Sequence, residues 1–287
     1  MKTNIIPIPL TIHRGDPTSI MGIVNVTPDS FHDGGRYLNA SKAVEHGLKL
    51  AEEGSAFLDV GGESTRPGSC SVTVEEEKAR ILPVISELSE KSSVPISVDT
   101  TKAEVAEAAI RAGASIINDV SAGVFDPEIL SVAAHWETPY IAMHIRGTPE
   151  SMQKNTRYEN LLESLLAYFE QRIEACLHAG IPLEKIILDP GIGFGKSLEG
   201  NYSLLAHLEA FYTFNRPLLV GPSRKSFLKL AGAKETADRL PGTIAAVTLC
   251  ALAGVEIIRV HDVAEAVQAV KVVQLVQHQR RQLKHDT

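Results

Sequence analysis

The residues of this sequence that could do chemistry cluster at one kind of place, the end of a short apolar run. Eight such runs occur, and each is closed or followed by a polar, charged or sulfur-bearing side chain. In chain order these residues are Asn25, Asp59, Asp99, Asn118 with Asp119, Met143 with His144, Asp189, Ser223 with Lys225, and Arg259 with His261. Asp and Asn also favour caps and turns, so chance supplies some, but a full ring predicts one site built from many strands.

Part of this ring has the chemistry to bind a flat, hydrogen-bond-rich heterocycle. Asp99 and Asp189 accept hydrogen bonds, and Asn118 both accepts and donates. Lys225 could donate to a carbonyl oxygen or a ring nitrogen of the same ligand. These residues predict a slot for a planar ring with donors and acceptors along its edge.

Another part of the ring is cationic and suits phosphate. Arg66, Arg259 and His261 could form a cluster in which each arginine binds a phosphate group bidentately. Asn25 offers a neutral, hard oxygen, so it could be one ligand of a Mg²⁺ ion that the phosphates mostly hold. The pattern predicts a phosphorylated substrate beside the heterocycle.

Four polar residues have a simpler interpretation. Asp59 and Asp119 are more often hydrogen-bonded caps or loop residues than catalysts in such positions. An imidazole after a strand, such as His144, is more often packed than a base. We expect Lys196 to be a solvated side chain.

The glycine-rich run GIGFGKS, residues 191–197, resembles two phosphate-binding motifs but matches neither. Pro190 occupies the first glycine position of a P-loop. The third glycine of a dinucleotide fingerprint is also missing. We therefore expect these glycines to allow close backbone approach to a flat ligand.

The elements that must position these residues follow from the hydrophobic pattern. The predicted strands span residues 20–26, 57–60, 95–99, 115–119, 140–144, 185–188, 218–221 and 256–260. The predicted helices span residues 40–53, 73–90, 102–112, 127–135, 158–179, 198–211, about 225–253 and 263–281. Eight β/α units predict a (β/α)₈ TIM barrel, which gathers its chemistry at the carboxyl ends of its strands. A doubly wound sheet is the alternative.

Outside this repeat, the pattern gives three further expectations. Residues 4–13 alternate polar and apolar and predict a short N-terminal β-ribbon. Pro83 lies inside the second predicted helix and should kink it. No linker-like break occurs, so we treat residues 1–287 as a single domain.

Composition excludes several classes of protein. The 287 residues are 44% hydrophobic with a net charge of −7 and no strong basic block, which argues against a nucleic-acid partner. Three scattered cysteines, Cys70, Cys176 and Cys250, argue against a disulfide framework and suit a reducing cytoplasm. No apolar run approaches the roughly 18 residues of a membrane span. The N-terminal apolar run is too short and too proline-broken for a signal peptide.

The motifs together resemble one enzyme family, bacterial dihydropteroate synthase. They read, in the family's order, MGIVNVTPDSF, DVGGESTRPGS, ISVDT, IINDVSAG, MHIRGTP, LDPGIGFGK, GPSRKSF and IIRVHDV. The resemblance covers residues 20–273, nearly the whole chain. Ile145, where a Met is common, and Pro222 are minor departures that touch no assigned role.

The resemblance implies a fold, an activity and a cofactor. Members are TIM barrels, usually homodimers, and sulfonamide targets. They join 6-hydroxymethyl-7,8-dihydropterin pyrophosphate to p-aminobenzoate, giving 7,8-dihydropteroate and pyrophosphate in folate synthesis, with Mg²⁺.

The resemblance also implies roles for individual residues. Asn25 should meet Mg²⁺ and the pyrophosphate. Asp99, Asn118, Asp189 and Lys225 should line the pterin slot, with Met143 packed on its face. The phosphates should be held by Arg259 and His261, with Thr65 and Arg66 of the second loop, and Val260 should also bind substrate. The p-aminobenzoate should be flanked by Phe194, Pro67 and Ser226, with its carboxylate near a helix N-terminus after Lys225. Among these we expect Asp99, Asp189, Lys225, Arg259 and His261 to be catalytic.

Three other functions remain as alternatives. A pterin-binding methyl-transfer domain would use a similar barrel, but would not need Arg66, Arg259 and His261 together. A Schiff-base aldolase using Lys225 would be trapped by borohydride. A catalytically inactive relative that only binds pterin or a partner would have lost its loop motifs, yet TPDSF and GGESTRPGS are intact here.

Overall fold

The computed structural model describes residues 10–27 and 36–285, without the side chains of residues 36–39 and 283–285. The strands are β1 Ser19–Asn25, β2 Phe57–Gly61, β3 Ile96–Asp99, β4 Ile116–Asp119, β5 Tyr140–Met143, β6 Ile186–Asp189, β7 Leu219–Val220 and β8 Ile257–Val260. The helices are α1 Arg36–Glu52, α2 Val74–Lys91, α3 Ala103–Arg111, α4 Glu128–Trp136, α5 Leu161–His178, α6 Leu198–Ala206, α7 Leu240–Leu252 and α8 Val263–His285.

The eight strands form one parallel sheet in the order β6-β5-β4-β3-β2-β1-β8-β7. Every pair of neighbouring strands is parallel. An isolated parallel bridge between Leu188 and Leu218 joins the two edges, and the Leu188 amide donates to Pro217 O at 3.0 Å. The predicted (β/α)₈ TIM barrel is therefore confirmed, and the doubly wound alternative is excluded.

Inside the barrel, an apolar layer fills the amino-terminal end. It contains one buried residue from each of seven strands, together with Ile12: Met21, Phe57, Ile116, Ile141, Ile187, Leu219 and Ile257. The larger core cluster packs the outward-facing strand residues against the helices. This filled interior leaves the carboxyl ends of the strands as the place for a binding site.

The segment before β1 crosses the amino-terminal end of the barrel. Ile12 joins the apolar layer, and Lys185 Nζ donates to Leu10 O at 2.6 Å. The buried carboxylate of Glu256 accepts from Arg14 Nη1 at 2.5 Å and from the Leu218 amide at 2.8 Å. These contacts tie the segment to the start of the last two strands.

The sequence predicted every strand to within one residue at each end. Part of the predicted N-terminal β-ribbon, residues 10–13, is not in a strand. The rest of it, residues 4–9, lies outside the described part of the chain. α2 continues through Pro83 without interruption. No helix in the described part of the chain is long and apolar enough to cross a membrane.

Two helix predictions were wrong. α6 ends at Ala206, and a 3₁₀ helix, Leu208–Phe214, follows. In a 3₁₀ helix residues three apart align, and here this buries both Leu208 and Phe211. The stretch after Lys225 contains the 3₁₀ helices Ser226–Ala231 and Ala237–Arg239 before α7 begins. Gly232, with φ +93°, ends the first of these.

Candidate active site

The site residues converge because strand side chains alternate between the two faces of a sheet. Two residues beyond each member of the apolar layer, on the same face, lies the next inward-facing side chain. This spacing places five such residues above the layer: Asp59, Asn118, Met143, Asp189 and Arg259. The predicted ring of polar strand ends is thus a second layer of the barrel interior.

Arg259 lies at the centre of this second layer. Its Nε donates to Asp59 Oδ2 at 2.5 Å and its Nη2 donates to Asp99 Oδ2 at 2.7 Å. Asn118 Nδ2 donates to the same Asp59 oxygen at 3.2 Å. The guanidinium therefore spans two carboxylates from neighbouring strands, β2 and β3.

The burial of these charges changes their acidity. Desolvation by burial raises the pKa of Asp99 to about 7; the positive charge of Arg259 opposes this, and the carboxylate of Asp59 adds to it. The other Asp59 oxygen, Oδ1, is buried with no hydrogen-bond partner among the described residues. We expected Asp59 to be a cap or loop residue, but it is a fully buried member of the barrel interior.

Asp189 occupies the opposite side of the barrel mouth. Its Oδ1 accepts from the Gly191 amide at 2.7 Å, which orients the carboxylate. Burial raises the pKa of Asp189, and the positive charges of Lys225 and Lys196 oppose that shift. A buried carboxylate close to a lysine is a strong acceptor for the N–H groups of a planar ring.

Lys225 bridges two parts of the glycine-rich loop. Its Nζ donates to Ile192 O and lies 4.4 Å from the centre of the Phe194 ring, a cation–π contact. Burial lowers the pKa of Lys225 to about 8, while Asp189 favours its charged form. The ammonium group therefore lies between a carboxylate and an aromatic face.

An apolar platform lies beside these polar groups. It consists of Val120, Met143, Ile145 and Met152, with the half-buried Phe194 packed against them. Met143 was predicted to pack on the face of a heterocycle, and this platform places it beside Phe194. A flat ligand could be sandwiched here while its edge contacts Asp189.

His261 lies at the end of β8, next to Ser223. Ser223 Oγ accepts from the His261 amide at 3.2 Å and lies 2.9 Å from His261 Nδ1. The hydroxyl has one proton and two lone pairs, so it can pair with Nδ1 in either tautomer of the ring. Burial, with the nearby charges of Arg259 and Arg224, lowers the pKa of His261 to about 4. The ring is therefore neutral near pH 7 and acts through hydrogen bonds rather than as a cation.

Other residues assigned to phosphate or p-aminobenzoate lie around this mouth. Arg66 and Pro67 are exposed, and Thr65 is half-buried. The positive charge of Arg66 contributes to the lowered pKa of His261. Ser226 is half-buried and begins a 3₁₀ helix of six residues, so the helix N-terminus predicted there is short. Val260 is buried in the core between barrel and helices, so its side chain faces away from the mouth.

The second loop is held at its base. Lys102 Nζ donates to Glu63 Oε2 at 2.6 Å and to Glu77 Oε2 at 2.5 Å. The Gly68 amide donates to Pro149 O at 3.0 Å, which joins this loop to the one after β5. Only its tip projects, and the tip carries Arg66.

Asn25, the predicted Mg²⁺ ligand, ends β1 and is half-buried. No group of three or more His, Cys, Asp or Glu residues in the described part of the chain could hold a metal ion by itself. A single amide oxygen fits a Mg²⁺ ion that takes most of its ligands from water and from substrate phosphates. Most of the first loop, residues 28–35, lies outside the described residues.

Asp119 has the predicted role, whereas Lys196 does not. Asp119 is a capping residue, as expected: it accepts from Ser121, from the Gly123 amide and from Tyr140 Oη. Lys196 was expected to be solvated, but it is only 2% exposed. No local signal in the sequence indicated this burial, because the contact partner, His144, lies 52 residues away.

Two glycines of the glycine-rich loop lie against the neighbouring loop. Gly191 and Gly195 have φ values of +68° and +66°. A Cβ atom on Gly191 would lie 2.0 Å from His144 O, and one on Gly195 would lie 2.8 Å from Arg146 O. They permit close approach to the loop after β5, so these two glycines are needed for packing between loops.

Fold and site together define a barrel enzyme whose strand ends gather buried carboxylates, a lysine and an arginine. The family model described as pterin binding enzyme matches residues 21–261. A dihydropteroate synthase of Escherichia coli strain K12 is 46% identical over 248 residues, which cover 86% of this chain and 88% of that relative.

Solved structures agree with this match. A Xanthomonas albilineans dihydropteroate synthase with 4-aminobenzoic acid has a TM-score of 0.86 and 45% identity, covering 92% of this chain and 94% of that one. A Yersinia pestis dihydropteroate synthase in a sulfonamide drug complex has a TM-score of 0.88 and 42% identity, covering 95% and 98%. The chain belongs to the pterin-binding enzymes and, within them, to the dihydropteroate synthase family of transferases.

Proposed function

We propose that this chain condenses 6-hydroxymethyl-7,8-dihydropterin pyrophosphate with p-aminobenzoate, releasing 7,8-dihydropteroate and pyrophosphate. The observation that carries this proposal is the arrangement at the barrel mouth, where Asp189 and Lys225 lie across from the Asp59–Arg259–Asp99 cluster. These groups match the donors and acceptors along the edge of a pterin ring. The family match supports the same reaction.

The pterin ring lies, in this proposal, between Asp189 and Asp99, with Met143 against its face. Asn118 and Lys225 supply the remaining edge contacts. Both carboxylates are buried, so their bonds to ring N–H groups gain strength from the low local dielectric. The same carboxylates would stabilise positive charge that develops on the pterin.

The leaving pyrophosphate is placed at the cationic side of the mouth. Two of the three Arg259 nitrogens bond to Asp59 and Asp99, and Nη1 is left to face an anion. His261 offers a ring nitrogen for hydrogen bonding, and Arg66 with Thr65 approaches from the second loop. Mg²⁺, with Asn25 as one ligand, would neutralise charge on the leaving group.

The chemistry favours a dissociative displacement. The bond from the exocyclic methylene carbon to the pyrophosphate oxygen breaks while the electron-rich ring carries the positive charge. The aniline nitrogen, a weak nucleophile, then forms the new C–N bond and loses a proton. The chain's part is positioning and electrostatic stabilisation, with no covalent nucleophile.

The second substrate is placed beside Phe194. Pro67 of the second loop and Ser226 complete its surroundings in this proposal. The planar amine then lies near the methylene carbon at the edge of the pterin slot. A sulfonamide, with a similar ring and amine, would occupy the same place.

One experiment tests the proposed reaction. We expect the protein to release pyrophosphate from the pterin substrate and to form dihydropteroate only when p-aminobenzoate is present. Asp189→Asn should weaken binding of the pterin substrate, because each charge-assisted hydrogen bond contributes about 1.5–3 kcal/mol. Asp16→Asn is the matched control, since Asp16 only caps His13 near the opposite end of the barrel. Failure to form dihydropteroate, or wild-type affinity in Asp189→Asn, would contradict the proposal.

A further inference from the structure

Lys196 is a buried lysine that the roles above do not use. Its Nζ lies 2.8 Å from His144 Nδ1 and donates to two carbonyl oxygens, His144 O at 3.2 Å and Phe194 O at 2.9 Å. Burial lowers the pKa of Lys196 well below its usual value. In either protonation state its Nζ–H groups can donate to both carbonyls while the third position pairs with His144 Nδ1, as donor or acceptor according to the imidazole tautomer. Burying an amine is costly unless it is hydrogen-bonded, so these three contacts are what allow Lys196 to be buried here.

These bonds join two neighbouring loops. His144 directly follows β5, and its amide donates to Asp189 O at 3.0 Å. Its ring is wedged edge-on against Tyr168, with the centroids 4.7 Å apart. The imidazole of His144 is therefore held in one position. Lys196 links the backbone of Phe194 to it through hydrogen bonds.

Two further side chains hold the glycine-rich loop from the same side. Gln153 Nε2 donates to Gly193 O at 2.9 Å, and Tyr158 Oη donates to Gly195 O at 2.9 Å. Both come from the chain after β5 and both are more accessible to solvent than Lys196. Lys196 is thus the buried member of a set of contacts that fixes residues 193–196.

The two sides of the site depend on these contacts to different extents. Asp189 is held by its strand and by the Gly191 amide, and the fully buried Ile192 fixes the carbonyl that accepts from Lys225. Phe194 is only half-buried, and its backbone carbonyl bonds to Lys196. Loss of Lys196 should therefore displace Phe194 more than Asp189.

We propose that Lys196 is a positioning residue that sets the affinity for p-aminobenzoate by fixing Phe194, while pterin pyrophosphate binding stays nearly unchanged. This rests on the proposed function, in which Phe194 flanks p-aminobenzoate. Lys196 does not contact either substrate; it acts through the loop backbone.

The test is a split between the two KM values. Lys196→Met fills the same space without a donor, and should raise KM for p-aminobenzoate about tenfold or more, with KM for pterin pyrophosphate within about threefold. Lys185→Met is the matched control, because Lys185 also donates to a backbone carbonyl but at the opposite end of the barrel. It should leave both KM values unchanged.

A pair of variants at His144 tests the same link without altering Lys196. His144→Asn keeps an acceptor near Nδ1 and should stay within about threefold of wild type, whereas His144→Leu should resemble Lys196→Met. The double variant Lys196→Met with His144→Leu should be no worse than either alone, since both remove one interaction.

Several outcomes would overturn the proposal. Equal effects on both KM values, an unchanged KM for p-aminobenzoate in Lys196→Met, or equal behaviour of His144→Asn and His144→Leu would each do so. If Lys196→Met does not fold, the His144 pair decides. Wild-type protein that makes no dihydropteroate would instead refute the proposed function itself.

Discussion

One guanidinium group, that of Arg259, organises the charges at the centre of the barrel. It bonds to Asp59 and Asp99, and the latter carboxylate keeps a pKa near 7 in spite of the neighbouring cation. Across the mouth, Lys225 has a pKa of about 8. Two groups that the proposed pterin contacts therefore change charge near neutral pH.

These two pKa values predict a narrow pH range for pterin binding. Asp99 is an acceptor when ionised, above about pH 7, and Lys225 is a charged donor below about pH 8. The affinity for a pterin without phosphate groups should therefore fall on the acid side as Asp99 is protonated and on the alkaline side as Lys225 is deprotonated.

Calorimetric titration across pH 5–10 measures this profile without interference from phosphate ionisation. Asp99→Asn should remove the acid limb and Lys225→Met the alkaline limb. An affinity that is flat from pH 5 to pH 10 would show that neither group contacts the pterin in its charged form.

Lys225 distinguishes the proposed reaction from an aldolase. A lowered pKa also suits a Schiff-base lysine, so the pKa alone does not separate the two. Because Lys225 donates to Ile192 O and faces Phe194, we expect it to stay a hydrogen-bond donor. Borohydride treatment with pterin pyrophosphate should leave the protein mass unchanged, and a stable adduct on Lys225 would contradict our assignment.

At this scale the sequence predicted which residues occupy the site better than it predicted their partners. The ring of strand ends was visible because each polar residue follows an apolar run. The bond from Arg259 to Asp59 spans 200 residues of chain, so local pattern carries no information about it. Lys196 was misjudged for the same reason, because its burial depends on His144, which lies 52 residues away.

Among the elements, the glycine-rich loop is the most constrained. Gly191→Ala should destabilise the protein strongly, because its Cβ would lie 2.0 Å from backbone atom His144 O at φ +68°. Gly15→Ala is the matched control: its φ is +93°, and no atom lies within 4 Å of the added Cβ. The control should cost about 1 kcal/mol from backbone strain alone. Urea unfolding measures both, and equal losses would show that the loop adapts to a side chain.

The second loop leads to a prediction about binding order. Its base is tied down by Lys102, and its tip presents Arg66 and Pro67 to solvent. A ligand can favour one loop arrangement only by its differential affinity for that arrangement. Mg²⁺ with pyrophosphate carries several charges for Arg66, whereas p-aminobenzoate carries one.

We therefore expect p-aminobenzoate to bind well only after Mg²⁺ and pyrophosphate. Calorimetric titration of p-aminobenzoate into the protein alone, and into protein with Mg²⁺, pyrophosphate and a non-reactive pterin, compares the two states. Arg66→Ala should reduce the difference between them. Equal affinities in wild-type protein would show that the loops do not control access of the second substrate.

The limits of prediction at the scale of elements have identifiable causes. Strands were found because a short β-branched run between turns has few alternatives. The stretch after Lys225 was read as helix because its composition suits one. In the folded chain Gly232 and the start of α7 at Leu240 divide it into short 3₁₀ helices.

At the scale of the whole molecule, the family resemblance leads us to expect a homodimer. Five apolar side chains on α7 and α8 are 43–59% exposed: Leu249, Leu252, Val272, Leu275 and Val276. Their spacings of three and four residues place them on one face of each helix. α7 and α8 pack against each other, so the two faces can form one surface. We propose that a second copy of this chain covers it.

Leu275→Glu should shift the protein from dimer to monomer, because it would bury an unpaired charge in that interface. Leu177→Glu, at a leucine on α5 that is also exposed (45%, against 59% for Leu275), is the matched control. Sedimentation equilibrium measures the mass of each. A monomeric wild type, or a dimer that persists in Leu275→Glu, would contradict this surface.

The way the barrel closes has a consequence for its slow motions. Within the described residues β6 and β7 share the bridge between Leu188 and Leu218, and β7 has only two residues. Local opening of a folded protein favours places where few hydrogen bonds must break. We therefore expect the barrel to open locally between β6 and β7. Asp189 ends β6, and Lys225 follows β7. A substrate that binds both residues would stabilise the contact between β6 and β7. Substrate binding and the stability of the whole barrel are therefore thermodynamically linked.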